Sequence, residues 1–81
     1  MVKISEKKIL ETIEKALELK KGCLTLNTTR KNEPKWDSLG HISVLSSLDD
    51  IFDGRIAGIE EMGTAKSIRK ILWILEKNSL V

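Results

Sequence analysis

The sequence predicts an all-α bundle of three main helices and one short helix, with a long loop between the first two helices. Apolar residues recur at helical spacing in three separate segments. Strand signals are nearly absent, because the β-branched residues lie inside the helical patterns and not in alternating runs. At 81 residues the chain is expected to form one domain spanning 1–81. A domain of this size buries only about 60–65% of the surface its unfolded chain exposes, so its stability is expected to be modest.

Helix one is expected over about 5–20. Ile9, Leu10, Ile13, Ala16 and Leu17 recur on one helical face, and Ser5 suits the N-cap. Lys20, Lys21 and Gly22 look like its C-terminal signals, since cations suit the negative end and glycine tolerates a left-handed cap. From Gly22 to Asp37 the pattern breaks. Asn27, Thr28, Thr29, Asn32 and Pro34 oppose a long helix, while Leu24 and Leu26 could pin the segment to a core. Such a loop reads as a crossing connection. Helix two is expected over 38–52, with Leu39, Ile42, Leu45, Leu48 and Phe52 as its inward stripe and Val44 and Ile51 widening it. Asp53-Gly54 then stops it. A short helix is expected over 58–62, and a last one over 65–78 with Ile68, Ile71, Leu72 and Leu75 buried.

Composition excludes several classes. A single cysteine and a single histidine can build neither an internal disulfide nor a zinc site. Cys23 is expected as a small apolar filler in a reducing compartment. The N-terminus has no apolar run after its lysines, so no signal peptide or membrane span is expected, and a cytoplasmic location follows. Net charge is +2, too weak to argue for nucleic acid, but it is unevenly spread. Residues 1–35 carry +4, residues 36–63 carry −5 and residues 64–81 carry +3. The lysines of the first helix alternate with glutamates, which reads as a solvated face.

Trp36-Asp37-Ser38-Leu39-Gly40-His41 stands at the start of the second helix. Asp37 is a good N-cap, which puts Ser38 at the first helical position with its hydroxyl toward solvent. A phosphate there would meet free backbone N–H groups and the positive end of the helix dipole, without a metal or an arginine clamp. An ordinary capped helix start has the same residues. His41 is expected on the exposed face one turn on, near that phosphate or as plain surface, and no catalytic triad is indicated. Trp36 is expected to fix the loop against the bundle, and Trp73 to pack at the edge of the core. Gly54 and Gly58 lack any phosphate-loop spacing and read as turn residues.

Asp37-Ser38-Leu39, followed by Ile42, Val44, Leu45, Leu48, Asp49, Asp50 and Phe52, resembles the acyl carrier protein motif and its following helix. The resemblance runs over nearly the whole chain, through Ile56 after the turn to the final helix. It implies a carrier and not an enzyme, with no catalytic and no metal-ligating residue. A phosphopantetheinyl transferase would move 4′-phosphopantetheine from coenzyme A onto Ser38. The arm would then hold an acyl group as a thioester for a fatty-acid, polyketide or other specialised pathway. Asp37 would cap the helix and help orient the transferase's metal-bound phosphates. The implied docking surface for acyl- or aminoacyl-loading and transferring enzymes comprises Leu39, Ile42, Asp49, Asp50, Asp53 and Ile56, on a monomer.

The Trp-Asp-Ser-Leu-Gly-His form is also similar to stand-alone aminoacyl carriers such as D-alanyl carrier proteins, so an aminoacyl or peptidyl carrier is the first alternative. An unmodified helical interaction module is the second, and a small nucleic-acid binder is disfavoured by the acidic second helix. Housekeeping acyl carriers are strongly acidic, whereas Gly40 and Ser43 stand where those proteins often place acids. With Ile42, Val44, Leu45 and Leu48 facing inward and Ile56, Ile59 and Met62 opposite, a cargo cavity is conceivable. Ser46 and Ser47 interrupt its flank, so short acyl or aminoacyl groups are expected over long fatty chains.

Overall fold

The computed structural model describes residues 4–81. Its helices are α1 (Glu6–Ala16), α2 (Ser38–Ile51), α3 (Glu60–Gly63) and α4 (Ile68–Lys77), and no strand is present among the described residues. The all-α class and the order of three main helices and a short one are as expected. No helix among the described residues is long and apolar enough to cross a membrane.

Ser5 caps α1 by accepting from the Lys8 N–H at 3.2 Å. The helix ends at Ala16, not at Lys20, and the cause is Glu14. Its buried carboxylate accepts from the backbone N–H groups of Gly22 at 2.9 Å and Leu24 at 3.0 Å, drawing the chain back along the helix. The reversal is closed by Leu19 N–H on Glu14 O and Glu18 N–H on Lys15 O, the paired bonds of a Schellman cap. The left-handed position of that cap is Glu18, at φ 58°. Gly22, at φ 87°, turns the returning loop and does not cap the helix. Cys23 in this loop is exposed, against the expectation of a filler, because Leu24 beside it takes the buried place.

The long connection crosses the bundle and is clamped to the start of α4. Arg30 N–H donates to Lys66 O at 2.8 Å and Ile68 N–H to Thr28 O at 3.1 Å, an antiparallel bridge between Thr29 and Ser67. This bridge uses the backbone on both sides of Ser67, so α4 opens at Ile68 and not at 65, with Ser67 Oγ capping Lys70 N–H. Leu24 is buried, whereas Leu26 stays largely at the surface.

One contiguous core joins Ile9 and Ile13 of α1 and its C-cap Leu17 to Val44 and Leu48 of α2, Met62 of α3 and Ile68, Ile71, Ile74 and Leu75 of α4. Leu24, Trp36, Phe52, Ile56 and Ala65 complete it from the connections. Against expectation, Ile74 is buried in place of Leu72, which is half-buried. Trp73 is half-exposed, its ring covered by Lys70 Nζ at 4.2 Å and Lys77 Nζ at 4.5 Å from the centroid. Lys77 also bridges to Glu61 at 2.6 Å, tying α4 to α3.

Two substitutions test this account. A left-handed backbone costs a non-glycine residue about 1–2 kcal/mol, and glycine returns part of that through its freer unfolded chain. Glu18→Gly is therefore expected to stabilise the fold by about 0.5–1 kcal/mol, a rise of several degrees in melting temperature. Gly40→Ala should do the opposite. Its Cβ would overlap the Lys35 carbonyl oxygen and come within 2.9 Å of Leu17 Cδ2. Overpacking of about 1–3 kcal/mol outweighs the gain of roughly 1 kcal/mol in helix propensity, so its melting temperature falls.

Candidate functional site

The entry to α2 carries the residues singled out by the sequence. Asp37 is extended (φ −93°, ψ −168°) and its Oδ1 accepts from the Gly40 N–H at 2.8 Å, as an N-cap should. His41 N–H closes the first helical turn on Asp37 O at 2.8 Å. The backbone N–H groups of Ser38 and Leu39 have no acceptor among the described residues and stand at the positive end of the helix. Ser38 is exposed at the first helical position. The site thus has an exposed serine, two backbone donors without an acceptor among the described residues and a helix dipole in one place.

Behind this entry lies a buried relay. Trp36, 1% exposed, donates its indole Nε1–H to His41 Nδ1 at 3.0 Å. An indole nitrogen only donates, so Nδ1 must be unprotonated and the imidazole proton sits on Nε2. Nε2–H then donates to the Met62 carbonyl at 2.7 Å. His41 is 4% exposed, which corrects its expected place at the surface. Its pKa is lowered, chiefly by burial and secondarily by the positive charge of Arg30, while the bond to Met62 O opposes the shift. The relay holds the loop, the first turn of α2 and the end of α3 together. Trp36 thereby has the anchoring role expected of it.

With His41 turned inward, α2 buries His41, Val44 and Leu48. Leu39 and Ile42, expected in the inward stripe, are instead 77% and 63% exposed. They share an outer face with Ser43, Ser46 and Asp50, all exposed and at helical spacing. Of the acids in the implied docking surface, Asp50 and Asp53 are exposed. Asp49 is half-buried, its Oδ1 accepting from the N–H groups of Ile56 and Ala57, each at 3.0 Å. Ile56 is only 2% exposed, so it supports this surface from below and cannot be a contact residue. Hydrophobicity alone could not phase α2, because its buried face includes a histidine and its outer face two aliphatic residues.

The sequence reading missed Arg30. Its Nη2 lies 3.4 Å from Ser38 Oγ and its Nε 3.4 Å from Trp36 O. An arginine eight positions upstream in an irregular loop has no spacing that could announce it. A groove of about 350 Å³ opens between α2 and α3, lined by Leu45, Ile56, Ile59 and Met62 with Ser46, Asp49 and Glu60 among its polar residues.

No protein-family model matches the chain, and no curated protein and no solved structure matches it.

The relay sets a pH dependence. The unfolded imidazole takes up its proton near pH 6.5, and the folded one only at lower pH, so the unfolded state binds more protons in the interval between. Stability from this group is complete above about pH 6.5 and is lost as pH falls below it, with a slope of at most about 1.4 kcal/mol per pH unit. Urea melts between pH 7.5 and 5.5 should show this slope, and His41→Gln, which cannot titrate, should flatten it.

Proposed function

We propose that this protein is a phosphopantetheine carrier of the acyl carrier type, with 4′-phosphopantetheine esterified to Ser38. The observation that carries the reading is the exposed Ser38 hydroxyl at the first position of a helix capped by Asp37, with the Ser38 and Leu39 N–H groups open beside it. A phosphodiester at that oxygen gains from the helix dipole and from these donors, and the buried relay behind it fixes the helix entry. The resemblance of Asp37-Ser38-Leu39 and the following helix to the carrier motif supplies the identity of the arm.

In this reading the chain performs no chemistry itself. A phosphopantetheinyl transferase attaches the arm, whose thiol presents an acyl or aminoacyl thioester to loading and transferring enzymes. Leu39 and Ile42 are the apolar contacts for those enzymes, and Asp50 and Asp53 the charged ones. Asp49 and Ile56 hold the surface from beneath. The groove between α2 and α3 offers apolar walls to the start of a cargo chain, at about 0.8 kcal/mol per buried methylene. Its polar residues Ser46, Asp49 and Glu60 suit short acyl or aminoacyl groups.

The exposed Leu39 and Ile42 also favour a second reading, an interaction module that is never modified. Intact mass decides between the two. Incubated with coenzyme A and a broad-specificity phosphopantetheinyl transferase, the chain should gain the mass of one arm, and Ser38→Ala should gain none. No gain with several competent transferases overturns the carrier reading in favour of the module.

A further inference from the structure

Arg30 is under-used where it stands. Its backbone is fixed by the N–H bond to Lys66 O, at the bridge between the long loop and α4. Its guanidinium has five donors but only two acceptors within reach among the described residues, Trp36 O and Ser38 Oγ, both at 3.4 Å. Those distances are at the weak end of hydrogen bonding. Among the described residues the two ion pairs are Lys21 with Glu11 and Lys77 with Glu61, and no carboxylate pairs with Arg30. The nearest acid in sequence to Ser38 is Asp37, whose Oδ1 is occupied by the Gly40 N–H. A half-buried, tethered cation with spare donors thus faces one hydroxyl oxygen and has no counter-ion.

We infer that Arg30 is the counter-charge of a phosphate ester on Ser38, a positioning residue that holds the phosphate against the entry of α2. The inference rests on the carrier reading for the source of the phosphate. A non-bridging oxygen lies beyond Oγ through phosphorus, and can close on Nη2 to the roughly 2.7–2.9 Å of a charge-assisted bond. The Ser38 and Leu39 N–H groups approach the same phosphate from the helix side. Arg30 thereby sets the direction in which the arm leaves the protein, and its Nη2 exchanges a long bond to a neutral hydroxyl oxygen for a short one to an anion. Lysine in its place keeps the charge but loses the planar fork.

The experiment separates this inference from the reading beneath it. Phosphoserine is installed genetically at position 38 of the full chain, and its second ionisation is followed by ³¹P resonance against pH. A nearby guanidinium favours the dianion, so the pKa should rise by about half a unit or more in Arg30→Gln. Arg30→Lys should recover much of that difference. Amide spectra of the variants check that the fold is kept, and Arg30→Met, which keeps the aliphatic stem without the charge, serves should Arg30→Gln fail to fold. In holo-protein made by the transferase, the ³¹P signal and the Ser38 amide should likewise move on Arg30→Gln. An unchanged phosphoserine pKa in folded Arg30→Gln overturns the role of Arg30, even where the transferase loads the wild type. A pKa that shifts as expected in a chain that no transferase loads supports Arg30 as the phosphate's partner and removes the carrier reading instead.

Discussion

The chain of bonds from Trp36 through His41 to Met62 is the constraint on which the rest of the site depends. Two ring groups and one carbonyl, all buried, must each be satisfied, and only one tautomer of the imidazole does so. Buried polar groups left without partners cost about 1–3 kcal/mol each, so the three elements cannot drift apart independently. The loop ends where Trp36 is held. Helix α2 starts with the phase that turns His41 inward, and α3 lies where its carbonyl can accept. A single proton added at Nδ1 would remove the acceptor that Trp36 requires, which is how a structural histidine makes the helix entry sensitive to acid.

Around that anchor the entry to α2 is determined several times over. Asp37 caps it, and Gly40 allows the Lys35 carbonyl and Leu17 at the end of α1 to approach where a Cβ would not fit. Lys35 itself donates to Glu18 O at 3.0 Å, tying the loop before α2 to the turn after α1. Arg30 reaches the same place from a loop fixed to the start of α4. The first turn of α2 is therefore held from several sides, and its outer face carries the exposed Ser38 with only Arg30 bonded to its hydroxyl oxygen. Precision at that oxygen matters for the proposed carrier, because an arm positioned by a loose helix end would wander relative to any docked enzyme.

Turning His41 inward leaves Leu39 and Ile42 in water, an unfavourable arrangement for the isolated chain. Their exposure immediately after Ser38 gives the proposed partners an apolar foothold beside the arm. In the proposed carrier, the exposed carboxylates of Asp50 and of Asp53 just past the helix would add a screened, longer-range attraction to a basic partner. On the outer face of α2 the exposed aliphatic residues thus stand in the first turns after Ser38, and the exposed acids Asp50 and Asp53 at and beyond its other end.

The helical class, the order of the elements, the caps at Ser5 and Asp37 and the exposed place of Ser38 were legible in the sequence, because periodicity and capping act over a few neighbouring residues. The end of α1 was not, because Glu14 binds backbone groups eight and ten positions ahead and a glutamate, not a glycine, takes the left-handed turn. The phase of α2 was not legible either. A hydrophobicity pattern puts leucine and isoleucine inside and histidine outside, and only a tryptophan and a carbonyl brought from two other segments reverse that order. Arg30 likewise became part of the site only when the loop paired with α4. Local rules set which segments are helices. Bonds between groups distant in sequence decided where the helices stop, which way they face and what stands beside Ser38.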